Sequence, residues 1–260
     1  MAEREPSRAA RARDGGDAAR AAETTARAVG LVRPEPAARP VRAGTQRTRD
    51  TILAAATASF AEKGYDGARI DEIALRAGVP KNLLYYHFGD KDGLFTAVLE
   101  SVYDAIRTRQ DALRVRDLDP VEGVRQLVLF TGRVWAQHPE FLRLLHSENL
   151  HDARHISASP AIASMYSPLM EALRDLLARG ERAGVFRRGV DPIELYISIS
   201  SLSAHYISNH RTLEAVMGVR LMGASRLKRR LDHAAEMVLA WLSPGQPQRP
   251  GRSGRAKAGR

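Results

Sequence analysis

Five side chains between residues 81 and 87 can do more than pack: the ammonium of Lys81, the amide of Asn82, the phenols of Tyr85 and Tyr86, and the imidazole of His87. An ammonium pairs with phosphate, while amide, phenol and imidazole groups hydrogen-bond base edges and phosphate oxygens. At helical spacing Leu83, Leu84 and Phe88 anchor the inner side of a short helix opened by Pro80 at its first position. The five polar residues are then candidates for its exposed face. A short helix placed after a turn is what a protein lays into the major groove of DNA. Taken alone, Tyr85, His87 and Phe88 also suit plain packing inside a helical domain.

A second group has metal-ligand residue types: His146, Glu148, His151, Asp152 and His155, with His151 and His155 one helical turn apart. Asp152 is the last acid of that group, and no carboxylate follows until Glu171. The segment reads equally well as a polar helix end and turn, and a helical His pair by itself is weak evidence for a metal. No metal or other cofactor is expected. The sequence has no cysteine, which excludes disulfides, thiolate metal sites and thiolate nucleophiles. It has no P-loop, no dinucleotide glycine fingerprint and no Gly-x-Ser-x-Gly elbow.

The elements that must position these residues are all read as helices. Ile52, Leu53, Ala56 and Phe60 form one apolar stripe, with Arg47, Arg49, Asp50, Glu62 and Lys63 off it and Gly64 where a left-handed cap is expected. Ile70, Ile73, Ala74 and Ala77 face inward from a second helix, and the small alanines allow close approach. Gly78 supplies the turn and Val79 plugs the gap beneath it. Leu94, Phe95, Val98, Leu99, Val102 and Ile106 make a long connector stripe. Asp119-Pro120-Val121-Glu122 and Asp191-Pro192-Ile193-Glu194 are helix starts with an N-cap acid and proline behind it. His138-Pro139 marks a break before Phe141, Leu144 and Leu145. Ser159-Pro160 opens a helix with Met165, Leu169, Leu173 and Leu176 on its apolar face, ended with the help of Gly180 and Gly184. A last helix runs from about Ser225 to Leu242. No segment alternates like a strand, so the fold class is all-α.

The run Thr45–Leu94 closely resembles the DNA-binding domain of the tetracycline-repressor (TetR) family. The resemblance is carried by Ile52, Ala55, Phe60, Gly64, Ile73, Ala74, Ala77, Gly78, Val79, Tyr85, His87, Phe88, Lys91 and Leu94. It implies an N-terminal three-helix helix-turn-helix domain and a C-terminal helical domain for ligand binding and dimerisation. It implies that Lys81, Tyr85, Tyr86 and His87 touch DNA and that Lys91 grips phosphate. Where the family places hydroxyl residues at the start of the second helix, Ala68 and Arg69 stand here, and Arg69 can reach phosphate through a charge-assisted bond instead. The candidate DNA contacts are therefore Arg49, Arg69, Lys81, Asn82, Tyr85, Tyr86, His87 and Lys91.

Residues 138–155 also look like the sixth-helix region of one large subgroup of that family. Family pockets lie among the fourth to eighth helices, which makes Tyr103, Phe130, Trp135, Glu148, Asn149, Tyr166, Met170, Ser203, Tyr206 and Asn209 the candidate ligand-lining residues. A mostly apolar cavity with a few polar groups is the usual small-molecule design, although Phe130, Trp135 and Met170 also suit ordinary core. The family expectation of a dimer seam falls on the helix opened by Asp191-Pro192 and the final helix. That helix carries Leu227, Leu231, Ala234, Val238 and Trp241 on one broad face, and the competing reading is that this face covers its own core.

The net charge of +10 over 260 residues is not spread evenly. Residues 1–44 hold nine Arg against six Asp and Glu, a net of +3, and residues 244–260 hold four Arg and one Lys without an acid, a net of +5. Only +2 is left for residues 45–243, so the body is nearly neutral. Rich in Arg, Ala, Gly and Pro, both ends read as disordered basic tails. Arg39 and Arg42 are the tail residues best placed to reach DNA. No apolar run approaches membrane-spanning length, and the N-terminus lacks the hydrophobic segment of a secretory signal.

The expected organisation is a tail over 1–44, a DNA-binding domain over 45–92, a ligand-binding and dimerisation domain over 93–243, and a tail over 244–260. The expected function is a homodimeric, ligand-responsive transcriptional repressor on a palindromic operator. The resemblance implies a cytoplasmic setting without membrane attachment, and an effector of unspecified identity. A ligand-independent architectural DNA binder and a metal-dependent enzyme using His146–His155 are the alternatives from other classes.

Overall fold

Periodicity sets the architecture, and every regular element among the described residues is a helix. The computed structural model describes residues 40–244. The two tails, including Arg39, lie outside the described residues except for their inner ends, and the side chain of Arg42 lies outside as well. In chain order the helices are α1 (Pro40–Gly67), α2 (Ile70–Ala77), α3 (Lys81–Phe88), α4 (Lys91–Asp111), α5 (Pro120–Gln137), α6 (Pro139–Asn149), the single-turn α7 (Arg154–Ser157), α8 (Pro160–Arg182), α9 (Pro192–Ser208), α10 (His210–Met217) and α11 (Ala224–Leu242). A 3-10 turn, Val115–Asp117, follows α4.

The helices form two compact units. The first holds the described residues through Ile106 together with His138–Ser164. The unit carrying the helix-turn-helix is thus larger than residues 45–92, since it includes most of α4 and all of α6 and α7. Its core begins with the α1 stripe, where Ile52, Ala56 and Phe60 are fully buried. Phe60 meets Phe95 of α4 edge to face at 4.8 Å. Gly64 breaks α1 as its position suggested, but not in the left-handed helical conformation. Its φ of 71° and ψ of 177° lie in a region essentially restricted to glycine. The chain therefore kinks inside α1 at Gly64, and the Tyr65 N–H beyond the kink donates to Ser147 Oγ of α6 at 2.8 Å.

Gly78 caps α2 in the left-handed conformation, its N–H reaching Leu75 and the Val79 N–H reaching Ala74 at 3.1 Å each. Pro80 is not the first helical residue. It is the extended N-cap of α3, and the helix proper starts at Lys81. Asp90 caps α4 by accepting the Gly93 N–H at 2.8 Å. Gly93 sits so close to α3 that a Cβ there would lie 2.1 Å from the Phe88 carbonyl oxygen.

The second unit holds Arg107–Gln137 and the described residues from Met165 onward. Asp119 and Asp191 cap α5 and α9 as their sequence signals required, accepting the N–H groups of Val121 and Ile193 at 2.9 and 2.7 Å. Val124, Leu127, Val128, Leu173, Leu176, Leu195, Ile199, Ala234 and Leu242 form its core. Gly180 lies inside α8 against the Phe186 ring and does not end the helix; Gly184, with φ 70°, follows the last turn. The short helices α7 and α10 were not expected.

Candidate nucleic-acid interface and the helical body

Four of the eight candidate DNA contacts share one arc of α3. At about 100° per residue, Lys81, Tyr85, Asn82 and Tyr86 fall within roughly 140° of the helix circumference. All four are exposed, Tyr86 by 76% and Tyr85 by 45%, while Leu84 is buried on the other side. His87 falls off this arc. It is half-buried, with its ring 5.1 Å from Tyr86 and 6.0 Å from Phe88 on the same helix. Lys81 pairs with Asp71 of α2 at 2.6 Å, and this hydrogen bond raises the lysine pKa and lowers that of the aspartate. Arg69 is exposed at the N-cap of α2 and makes no side-chain cap bond. Arg49 lies over the Phe88 ring at 5.2 Å, tying α1 to α3.

Lys91, the first residue of α4, is held against the same unit. Its Nζ donates to the Asp66 carbonyl at 3.3 Å and sits 4.6 Å above the Tyr65 ring. Beside it, Asp92 Oδ1 accepts from the Tyr65 hydroxyl and from Arg154 at 3.1 Å, and His155 Nε2 stands 3.3 Å away. The other His155 nitrogen, Nδ1, is 2.6 Å from Glu148 Oε2. Glu148 Oε1 accepts the N–H groups of His155 and Ile156 at 2.8 and 2.9 Å. Glu148 and His155 are 1% and 4% exposed. The Asp92 carboxyl is held below its usual range, chiefly by the Tyr65 hydrogen bond, and burial with the Asp92 contact pushes the Tyr65 phenol up to about 12. The end of α1, the start of α4 and the α6–α7 corner are thus joined through one polar knot.

This geometry disperses the residues that had suggested a metal. His155 faces Glu148 and Asp92, His151 faces Asp66 at 3.3 Å, and His146 is exposed. Among the described residues, no three His, Asp or Glu side chains are grouped to hold a metal ion. Tyr65 and Asp92, central to the knot, were not singled out from sequence. The only signal was the spacing of polar residues beside the α1 break and the α4 start.

The ligand candidates divide between the two units. Tyr103, Glu148 and Asn149 lie in the first. Tyr103 is buried edge-on to Phe141 at 5.3 Å, Glu148 is committed to the knot, and Asn149 is exposed and bonded to the Leu145 carbonyl. Phe130, Trp135, Tyr166, Met170, Ser203, Tyr206 and Asn209 lie in the second. Trp135 is buried, and Phe130, Tyr166 and Met170 are half-buried. Tyr206 donates to the Leu221 carbonyl at 2.6 Å, and Asn209 donates to the His205 carbonyl. Ser203 is 1% exposed, and its hydroxyl has no hydrogen-bond partner. Sequence reasoning missed Arg107 and Gln110, buried polar residues of α4. Their signal was present: both follow the connector stripe beyond Ile106 at core spacing.

The broad face of α11 resolves into two parts. Leu231, Ala234 and Val238 are buried in the chain's own core, so the face does cover that core and a charge at Val238 would test folding. Met237 and Trp241 point away, 44% and 49% exposed, and Ile193 and Ile197 of α9 are 52% and 50% exposed.

Comparison with known proteins places this geometry among regulators. A family model described as bacterial regulatory proteins of the tetR family matches residues 52–98, and a tetracyclin repressor-like C-terminal domain matches 120–238. The HTH-type transcriptional repressor NicS of Pseudomonas putida is 35% identical over 175 residues, covering 67% of this chain and 82% of that protein. The HTH-type transcriptional regulator RutR of Escherichia coli is 26% identical over 200 residues, covering 75% of this chain and 91% of that protein. A Mesorhizobium loti structure described as a TetR-family transcriptional regulator superposes with a TM-score of 0.54 at 25% identity, over 77% of this chain and 98% of that one.

Proposed function

Because this chain belongs to the TetR family of DNA-binding transcriptional regulators, we propose that it is a homodimeric repressor whose helix α3 reads a major groove and whose release from DNA is governed by a small-molecule effector. The observation that carries this reading is the exposed arc of Lys81, Asn82, Tyr85 and Tyr86 on a helix held by the capped turn at Gly78. Arg69 and Lys91 flank that arc as phosphate contacts. Two-fold symmetry of the dimer calls for a pseudo-palindromic operator with half-sites about one helical turn apart or a multiple of it. The exposed apolar residues of α9 and α11, Ile193, Ile197, Met237 and Trp241, are the candidate seam.

Effector control requires different ligand affinities in the DNA-competent and DNA-incompetent states. The knot at Asp92 supports a coupling role for the start of α4, since it ties the helix following α3 to the α6–α7 corner. No helix among the described residues is long and apolar enough to cross a membrane, and the protein acts in the cytoplasm, where its DNA lies. Selection of bound fragments from random or genomic DNA tests the reading, followed by a screen for compounds that release the selected site. Enrichment of a two-fold symmetric sequence is expected. Binding that ignores sequence would overturn it.

A further inference from the structure

Among the described residues of the second unit, Arg107 is the one arginine that is both more than nine-tenths buried and incompletely hydrogen-bonded, at 7% exposure. Its Nη1 donates to Gln110 Oε1 at 2.5 Å and its Nη2 to the Tyr196 hydroxyl at 3.2 Å. Its guanidinium lies 4.2 Å over the Tyr166 ring and 5.8 Å from that of Tyr196. Its Nε is buried and has no hydrogen-bond partner. Among the described residues its partners are an amide and phenols, and none is a carboxylate.

A buried cation without a counter-charge is expensive, and folding alone gives little reason to keep one. Stacking on two tyrosines offsets part of that cost. It does not explain a vacant Nε–H beside an Nη donor, the side-on edge with which a guanidinium grips a planar anion through two parallel hydrogen bonds. Tyr166 and Tyr196, whose rings neighbour the guanidinium, are only half-buried. Tyr166 and Tyr196 pack on the second unit's core, as does Met170.

We propose that Arg107, with Gln110, Tyr166 and Tyr196 around it, is the anchor for the carboxylate of a monoanionic effector whose apolar remainder packs on the tyrosine rings. A carboxylate matches the single positive charge. A phosphate monoester would bring nearly two negative charges to a site with one buried cation. This assignment rests on the effector-controlled reading given above and names the chemical class of the effector.

The test uses the full-length protein and paired probes: benzoate against benzamide and hexanoate against hexanamide, measured by thermal melting and titration calorimetry. At least one acid should raise the melting temperature and bind at least about tenfold more tightly than its amide. Arg107→Gln should weaken that acid at least about tenfold while binding selected operator DNA as the parent does. Arg107→Lys should retain part of the affinity. If Arg107→Gln fails to fold, the acid-to-amide ratio on the parent and the Lys variant carry the decision. Neither acid shifting the melt, acids binding no better than amides, or an acid bound equally by Arg107→Gln would each overturn the assignment. Operator binding by the same preparation reports separately on the repressor reading, so a neutral compound that releases DNA would overturn the anion site and leave the regulator intact.

Discussion

Glu148→Ala should cost more stability than any exposed change in the reading head. Glu148 is 1% exposed and uses both oxygens, accepting two backbone N–H groups at 2.8 and 2.9 Å and facing His155 Nδ1 at 2.6 Å. Alanine leaves two α7 donors and a buried imidazole without their acceptor. Each orphaned buried donor costs about 1–3 kcal/mol. For the three groups a total loss of at least about 3 kcal/mol is expected, against whole-domain stabilities of about 5–15 kcal/mol. Glu148→Gln keeps one carbonyl oxygen for the two N–H groups and turns its amide toward His155, so about 1–2 kcal/mol should be lost. Urea unfolding followed by circular dichroism, with parent and both variants at one pH, gives the two numbers. An alanine variant within about 1 kcal/mol of the parent, or a glutamine variant as unstable as alanine, would refute the claim that these hydrogen bonds hold the α6–α7 corner.

Tyr85→Ala should weaken operator binding by about 1–3 kcal/mol in a gel-shift titration, with the melting temperature unchanged; unaltered affinity would remove Tyr85 from the interface. Gly93→Ala places a methyl group against the Phe88 carbonyl oxygen, and should cost about 1–3 kcal/mol by thermal unfolding as well as operator affinity. Asp92 has a lowered pKa, so its contribution is present above the unfolded carboxylate value near about 4 and is lost as pH falls through the lower folded value. Asp92→Asn should therefore flatten the acid limb of the melting-temperature profile below about pH 4, and an unchanged limb would contradict this. Met237→Glu should leave the fold intact but give monomers in sedimentation with weakened operator binding, whereas a variant that stays dimeric would place the seam elsewhere.

The helix-turn-helix was legible because its signals are local. The Ile52–Phe60 stripe, the small Ala74 and the turn at Gly78 each state their own conformation. So do the proline-acid starts at Asp119 and Asp191, whose caps formed as written. The knot was not legible, because Tyr65, Asp92 and the α6–α7 corner are far apart in the chain and only tertiary packing sets Asp92 beside Tyr65 and His155. His87, a candidate for the exposed face, is half-buried because its helical angle puts it between Leu83 and Leu84. Val238 was ambiguous for a different reason. A wide apolar face on a helix can serve its own core and a partner together, and only burial tells which residue does which.

Asp92 Oδ1 is one acceptor shared by the Tyr65 hydroxyl and Arg154, with His155 close by. Such an arrangement carries redundancy. When one donor is removed, the oxygen remains occupied and the other groups can close on it, so the start of α4 keeps its tether. Single alanine changes at Arg154 or Tyr65 will then understate what the junction does, because each is measured with its substitutes in place. The true strength appears only when two are removed together, as a combined loss that exceeds the sum of the separate losses. The exposed Arg154 can drift with little penalty, provided Tyr65 and His155 are kept, and the residue that cannot be spared is the aspartate they share.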